Sequence, residues 1–245
     1  MKTSRHQKRF YRDWVCAKGL YSQRICIQET DLQILTDRRL DKEFIREKIL
    51  LYRRQIEDYI SKDPRFLSSL KPIAVELRAK PIIRKMSRAA QRANVGPMAA
   101  VAGAMAEFLG QDLLKKGYRE VIIENGGDIF LKIRKVRKVG IYSGPAKLWK
   151  GLSLRISPRD TPLGICTSSG MVGHSLSFGC ADSVVILARN PSLADAVATA
   201  VGNRIKSKPD IEKALAFARS VKGVLAGVII YKNSLGSWGK VKFLS

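Results

Sequence analysis

The predicted fold depends first on VGPMAAVAGAMAEFLGQDLLKKG, residues 95–117, and on VIIENGGDIFLKI, residues 121–133. In the first stretch, Pro97 suits the opening turn of a helix, and apolar residues then recur on one side until a basic end is closed by Gly117. The first half of this helix consists mostly of alanine and glycine, so a neighbouring backbone could approach it closely. We therefore expect a central Ala/Gly-rich helix.

The second stretch has the pattern of a β-hairpin. Residues 121–124 and 128–133 are apolar segments of strand length, and Asn-Gly-Gly at 125–127 is a turn signal. Other strand-like segments, among them residues 73–78, are intermixed with helical ones, without a clean repeat or a Pro/Ser-rich linker. The sequence predicts a mixed α/β (α+β) fold with a mixed sheet, in a single domain over residues 1–245.

Composition limits the class of protein. The 245 residues are 45% hydrophobic, and 45 Lys plus Arg outweigh 21 Asp plus Glu to give a net charge of +24. Four cysteines in a chain of this length are too few for a disulfide scaffold, and no stretch has the pattern of a signal peptide or a spanning helix. We expect a cytoplasmic protein with no membrane partner and an anionic ligand. Homo-oligomerisation is left open.

An uncharged segment over residues 161–181 stands out in this highly charged chain. At 27% charge, about six charged residues are expected in 21 positions, yet this segment has none, and it contains four Gly, four Ser and two Thr. Its backbone N–H groups and hydroxyls could surround a phosphorylated small molecule. An ordinary surface loop is the alternative. Within the segment, His174, Cys166 and Cys180 are candidates for chemistry, although buried structural roles are commoner for such residues.

A second signal is the helical pattern ADAVATA at residues 194–200. Asp195 and Thr199 lie four positions apart and therefore on one face of a helix, where a carboxylate and a hydroxyl suit Mg²⁺. The alternative is a capping box, with Ser192 at the N-cap and Asp195 three residues later. Spacing alone favours the capping box.

Two further segments carry weaker signals. In ENGGD at residues 124–128, Asp128 follows the glycines of a turn and could reach a ligand hydroxyl, although a plain hairpin explains most of the pattern. Gly96 opens the helix that begins at Pro97, and the free N–H groups of a helix N-terminus favour an anion. Every helix offers such an N-terminus, so this second signal has little specificity.

Five motifs together resemble one family, the uncharacterised cytoplasmic ApbE-related proteins. The resemblance covers nearly the whole chain and implies the ApbE fold. More distantly, the family is similar to the ApbE flavin transferases, which use FAD and Mg²⁺ to attach FMN to a protein Ser or Thr. The motifs are ETDL at 29–32, VGPMAAVAG at 95–103, ENGGDI at 124–129, CTSSGMVGHS at 166–175 and ADAVATA at 194–200.

The resemblance to the transferases implies roles for particular residues. Asp195 and Thr199 match their metal-binding motif, which favours a metal site over the capping box for this pair. The implied contacts with a flavin nucleotide, FAD or FMN, come from two segments that resemble the transferases' Gly-Gly-Asp turn and Thr-Ser-Gly segment. In this sequence the candidate residues of those segments are Asn125, Gly126, Gly127 and Asp128, and Thr167, Ser168, Ser169 and Gly170.

This chain departs from the transferases at three points. It has no lipoprotein signal, and it lacks the His-Ile-x-Asp-Pro motif that follows their Thr-Ser-Gly segment. His174 lies near the corresponding place, so its role as a general base is assigned by position only. The transferases' Gly-Gly-x-x-Lys-Gly helix opening is replaced here by Gly96-Pro97-Met98, without the lysine.

Three hypotheses follow. The first is a Mg²⁺-assisted enzyme or binder that acts on a nucleotide diphosphate such as FAD and transfers a nucleotidyl or FMN group. The second is sulfur handling, with Cys166 as a nucleophile or persulfide carrier, a role towards which family-level associations with sulfur assimilation also point. The third is a nucleic-acid accessory protein without sequence specificity, because residues 129–159 hold nine Lys or Arg and no acid. That basic run has no recognised nucleic-acid-binding module.

Overall fold

The computed structural model describes residues 18–141, 147–149, 151–170 and 179–244 of the chain. Short 3₁₀ turns cover Pro97–Ala100, Lys147–Trp149 and Pro158–Asp160. The helices are α1 (Lys42–Lys62), α2 (Arg65–Ser68), α3 (Pro81–Ala93), α4 (Val101–Lys115), α5 (Pro191–Gly202) and α6 (Asp210–Ser220). The strands are β1 (Tyr21–Ile27), β2 (Thr30–Thr36), β3 (Val121–Asn125), β4 (Asp128–Lys132), β5 (Arg137–Gly140), β6 (Ser153–Ile156), β7 (Leu163–Ser168), β8 (Ser183–Ala188), β9 (Val224–Tyr231), β10 (Ser234–Gly239) and β11 (Phe243–Leu244).

The strands form one large sheet and one small sheet. The large sheet has eight strands in the order β1-β2-β3-β4-β7-β8-β9-β10, and the small sheet has the order β11-β6-β5. Every strand pairing in the described part of the chain is antiparallel. The mixed α/β class is confirmed, but the sheet is antiparallel where a mixed one was expected. The hairpin predicted at residues 121–133 is present as β3 and β4.

The helices cover one face of the large sheet. Side chains alternate between the two faces of a strand, so Phe130 of β4 and Ile186 of β8 lie in the helix-side core, and Ile129 and Val185 lie on the other side. The other side packs against apolar residues of the small sheet, such as Leu154. The large sheet therefore has a buried apolar face on each side.

Glycines allow α4 and α5 to approach each other and the sheet closely. A Cβ atom at Gly103 of α4 would lie 2.5 Å from the Pro191 carbonyl oxygen at the start of α5. A Cβ at Gly110 would lie 2.2 Å from the Phe130 ring, and one at Gly164 of β7 would lie 2.5 Å from the Pro191 Cα. Real Cβ atoms do not make such contacts, so these glycines are needed for the packing. The expected central Ala/Gly-rich helix is α4.

The segment of residues 73–78, which has the sequence pattern of a strand, is a loop. Residues 73–78 form no strand: the segment follows Pro72, and a turn closes where the Ala79 N–H donates to the Glu76 carbonyl at 3.0 Å. A short apolar run bounded by prolines is compatible with a loop that packs one side chain, here the half-buried Val75, against the core.

No helix in the described ranges is long and apolar enough to cross a membrane.

Candidate functional site

Two aspartates meet between the large sheet and the helices. Asp128 is the first residue of β4, directly opposite Cys166 of β7, and Asp195 lies on α5, which packs against β7. Their side chains are buried, with 7% and 8% of each residue exposed. Helix and strand thus bring together two segments that are 67 positions apart in the sequence.

Asp195 closes the N-terminus of a neighbouring helix. Its Oδ2 accepts a hydrogen bond of 2.8 Å from the Gly103 N–H, and the Ala102 N–H also points to this carboxylate. Both donors belong to the first turn of α4, where backbone N–H groups have no partner inside the helix. Asp195 therefore caps α4 from outside, a structural role that does not use all of its acceptor capacity.

The capping box that spacing alone favours for α5 is absent. The N-cap residue of α5 is Asn190, and Pro191 occupies the first turn. The Ser192 hydroxyl donates to Glu107 Oε2 at 2.8 Å instead of to its own helix, and Asp195 points towards α4. The residue types at 192 and 195 match a capping box, but both side chains bind partners on α4 instead of the backbone of α5.

Asp128 has an unpaired oxygen. Its Oδ1 is buried and has no hydrogen-bond partner among the described residues. The Thr167 N–H and the Cys166 thiol lie within hydrogen-bonding reach of the carboxyl group. Burial, followed by repulsion from Asp195, raises the pKa of Asp128 well above its usual range, and burial raises the pKa of Asp195 to about 7 despite the two helix N–H groups.

The pair of carboxyl groups fits a hard divalent cation. Neither aspartate makes an ion pair with a lysine or arginine in the described ranges, so no side chain there supplies a positive charge to the pair. No group of three or more His, Cys, Asp or Glu side chains in the same ranges is arranged to hold a metal. The described residues therefore do not form a metal site made only of such side chains. Two carboxylates still fit Mg²⁺, which commonly binds one or two carboxylates and completes its shell with water and phosphate oxygens.

Thr199 lies one helical turn beyond Asp195. It is half-buried on α5, and its spacing of four places it on the same side of the helix. At the end of that helix, Gly202 faces β7: a Cβ atom at this glycine would lie 3.2 Å from the Ser168 Oγ. The side of α5 that carries Asp195, Thr199 and Gly202 therefore lies alongside β7 and leads towards the uncharged segment.

The uncharged segment does meet α5. Ser168, the last residue of β7, is buried, and Ser169 is half-buried beyond it. The Gly170 N–H donates to the Ala181 carbonyl at 3.0 Å, and a Cβ at Gly179 would lie 1.8 Å from the Gly202 carbonyl oxygen. The glycines thus allow both ends of the segment to pack on one another and on the helix. Residues 171–178, which include His174, lie outside the described residues.

The turn between β3 and β4 borders the same cluster. The Asn125 Nδ2 donates to the Ala102 carbonyl at 3.2 Å, which ties the turn to the first turn of α4. Gly126 and Gly127 have φ angles of 68° and 102°, and the Gly127 N–H donates to Glu124 Oε1 at 2.8 Å. Gly127 also faces Thr167, whose Cβ lies 3.8 Å from where a Cβ at 127 would be. The predicted residues of both segments are therefore neighbours.

Gly96 has a different explanation. A Cβ atom at this position would lie 1.7 Å from the Ser69 carbonyl oxygen, so glycine is required where two backbone segments cross. The residue is buried and opens the 3₁₀ turn that leads into α4. The packing accounts for Gly96 without a bound anion.

Cys166 lacks the environment of a nucleophile. It is fully buried, and its thiol donates to the Pro191 carbonyl at 3.3 Å. Burial and the nearby carboxylates of Asp128 and Asp195 raise the pKa of the thiol well above its usual range, whereas a reactive cysteine needs a lowered one. Cys180 is exposed, and its N–H donates to the Ile205 carbonyl at 2.8 Å.

Sequence reasoning missed the backbone donors of α4. The N–H groups of Ala102 and Gly103 belong to the site because α4 begins beside Asp195, a fact that depends on tertiary packing. The only signal in the sequence was the run of small residues around Gly103, which predicted close backbone approach but not its partner.

Comparisons with known proteins find both a family and a fold. The family model described as AbpE bacteria matches residues 12–227. A UPF0280 protein of Methanosarcina acetivorans is 38% identical over 216 residues, which cover 88% of this chain and 85% of that protein. Another UPF0280 protein, from Methanothermobacter thermautotrophicus, is 40% identical over 221 residues and covers 87% and 85%.

Solved structures of two flavin transferases are similar to this chain in fold. The flavin transferase ApbE of Vibrio cholerae superposes with a TM-score of 0.58 at 14% identity, covering 89% of this chain and 96% of that one. The apo form of the Pseudomonas stutzeri flavinyl transferase ApbE gives a TM-score of 0.60 at 12% identity, covering 89% and 94%. At these identities the similarity concerns the fold alone.

Proposed function

This chain belongs to the family described as AbpE bacteria, and from that premise we propose that it binds a nucleotide diphosphate such as FAD together with Mg²⁺. The proposed site is the cluster around Asp128 and Asp195. The fold is that of the ApbE flavin transferases, and the chemistry of the donors in the cluster suits a cation with a phosphate.

One observation carries the proposal: Asp128 Oδ1 is a buried carboxylate oxygen without a partner, beside a second buried carboxylate. A buried carboxyl oxygen without a hydrogen-bond partner is costly, and folded proteins keep such a group mainly where a ligand or ion completes it. A structural role explains Asp195, which caps α4, but gives no reason for a carboxylate at position 128. The pair therefore supports a site for a cation.

The residues that would hold Mg²⁺ are Asp128, Asp195 and Thr199. When bound, the ion would supply positive charge for the pyrophosphate oxygens, which the two carboxylates alone would repel. The Gly103 and Ala102 N–H groups keep Asp195 in place, so the site needs little rearrangement to accept the ion. This pre-organisation favours binding because less entropy is lost.

The phosphate and the rest of the nucleotide are assigned to the rim of the cluster. Thr167, Ser169 and Gly170 are at least partly accessible at the end of β7, and Gly126 and Gly127 are accessible at the tip of the hairpin. Hydroxyls and glycine N–H groups are suitable donors for phosphate oxygens. Ser168 is more deeply buried and would support the segment from below.

Transfer of FMN is the second stage of the proposal. The oxygen of an acceptor hydroxyl attacks the phosphorus of the FMN half of FAD, the bond from that phosphorus to the bridging oxygen breaks, and AMP leaves with that oxygen. The hydroxyl proton passes to a base, for which His174 is the candidate from the sequence.

Calorimetry of the purified chain with FAD, with and without Mg²⁺, tests the first stage. We expect binding that needs the metal, and Asp128→Asn should weaken it by at least about tenfold, equivalent to about 1.4 kcal/mol. Asp112→Asn is the matched control, because that carboxylate lies on α4 about 13 Å along the axis from Gly103. Binding that ignores Mg²⁺, or an equal loss in both variants, would overturn the proposal.

A further inference from the structure

A stripe of arginines runs along the exposed side of α3. Arg84, Arg88 and Arg92 lie at intervals of four residues and therefore on one side of the helix, about 6 Å apart along its axis. We refer to these three residues as the arginine stripe. Arg88 and Arg92 are exposed and Arg84 is half-buried.

The arginine stripe has no countercharge in the described part of the chain. α3 contains no acidic residue, and none of the three guanidinium groups makes an ion pair or hydrogen bond there. By contrast, the neighbouring Lys85 on the same helix pairs with Glu107 at 2.7 Å. Arg84 Nε is buried without a partner, so one donor of the stripe is both desolvated and unused. Like charges four residues apart destabilise a helix, so the arrangement calls for an anionic partner.

The described residues of the basic run 129–159, by comparison, do not form one face. Arg137 is buried and pairs with Glu120 at 2.9 Å, and the Lys132 Nζ donates to the Thr161 carbonyl at 3.2 Å. On the small sheet, Lys138 and Arg155 are cross-strand partners, and the Arg155 N–H donates to the Lys242 carbonyl. The small sheet thus carries a second set of three cationic residues, equal in number to the arginine stripe: Lys138, Arg155 and Lys242.

We infer that the arginine stripe binds nucleic acid through the phosphate backbone. Guanidinium groups present paired donors that match phosphate oxygens, and a regular row of single charges suits a polymer with regularly spaced charges. The aliphatic side chains of α3 lie on its buried face, and Pro81 is the one exposed apolar residue of the helix, so α3 presents no apolar face to a lipid bilayer. No aromatic residue accompanies the stripe on α3, which points to contact with the backbone and not with stacked bases.

The site extends beyond α3 at one end. A Cβ atom at Gly223 would lie 3.8 Å from an Arg92 Nη1, so the stripe ends against the loop between α6 and β9. The neighbouring Lys222 is exposed in that loop. A polyanion that follows the stripe would therefore meet a further cation at this end.

Anisotropy of a fluorescent duplex oligonucleotide of mixed sequence tests the inference with the full chain. The triple variant Arg84→Gln, Arg88→Gln and Arg92→Gln should bind at least tenfold more weakly, and the slope of log affinity against log salt should fall by about 2.7, or 0.9 for each lost contact. Glutamine is a good helix former, so the helix should persist. The matched control is Lys138→Gln, Arg155→Gln and Lys242→Gln, which removes the same charge and should lose less than about twofold.

The controls make each outcome decisive. Equal losses in the two triple variants would mean general attraction to a basic protein and would overturn the inference. It would also fail if the unaltered chain did not bind the duplex, or if the stripe bound anionic vesicles instead. Should the glutamine variant unfold on heating earlier than the control, Arg88→Glu alone must still weaken binding. FAD binding should be unchanged in every variant, so this inference and the proposed function fail separately.

Discussion

At the scale of single residues, the site combines one aspartate with a structural role and one without. Asp195 caps α4 through Gly103 and Ala102, whereas Asp128 keeps an oxygen that nothing in the described chain satisfies. Replacing Asp195 would therefore disturb both the helix and the site, whereas replacing Asp128 leaves the α4 cap in place. This difference decides which variants are informative.

Cys166 provides a prediction at the same scale. Because its side chain is fully buried, iodoacetamide should modify the exposed Cys26 and Cys180 in the native protein and reach Cys166 only after unfolding. Peptide mapping by mass spectrometry at a series of reaction times measures the three rates. If iodoacetamide modified Cys166 as fast as Cys26, Cys166 would not be buried, and the hypothesis of a sulfur-handling role for Cys166 would be supported.

The sequence predicted several site residues but not their relations. The Asp195–Thr199 spacing and the Gly126-Gly127-Asp128 turn could be recognised locally, because helix and hairpin periodicity fix which side chains lie together. Local spacing could not show that Asp195 caps a different helix, and it favoured a capping box that the structure excludes. Tertiary partners decide such cases.

At the scale of elements, one buried carboxylate ties three helices together. Glu107 of α4 is 2% exposed and accepts hydrogen bonds from the Ser192 N–H at 3.2 Å and from the Ser192 hydroxyl, while Lys85 of α3 pairs with its other oxygen. The Ser192 N–H belongs to the first turn of α5, so Glu107 caps that helix as Asp195 caps α4. The two caps fix the positions of the helix starts around the site.

Removing this link should be costly. Glu107→Ala leaves two buried donors of Ser192 without a partner, and we expect the free energy of unfolding to fall by about 2–4 kcal/mol. Urea denaturation followed by circular dichroism measures it. Glu76→Ala is the control, since the Glu76–Lys62 pair is exposed and its loss should not move the midpoint. Equal effects in the two variants would show that Glu107 is not a structural link.

Helices and the central hairpin were predictable because each has a periodic apolar pattern and clear end signals, as at Gly117. The start predicted at Pro97 is a 3₁₀ turn, and α4 itself begins at Val101. Residues 73–78 show the limit of that reasoning. Their apolar pattern fits a strand, but no neighbouring strand is available, and the backbone turns at Glu76–Ala79 instead. A strand requires a partner, and the sequence of one segment does not reveal it.

At the scale of the whole molecule, the order of strands creates the site. β4 pairs with β7 although 30 residues separate the two strands, and α5 then crosses β7, so that Asp128, Cys166 and Asp195 meet. Composition and motif order indicated the fold family, but the antiparallel eight-stranded sheet could not be worked out from the separate segments. Long-range pairing depends on the complete set of apolar faces.

The central claim is that Asp128 is kept for a metal-bound nucleotide at the expense of stability, and melting of Asp128→Asn tests it most directly. In mildly alkaline buffer without ligands, the variant should melt higher than the unaltered chain, by about 2–4 °C for each kcal/mol of repulsion removed. FAD with Mg²⁺ should raise the melting temperature of the unaltered chain but not that of the variant. A variant that melts lower, and that FAD with Mg²⁺ still stabilises as much as the unaltered chain, would contradict the account.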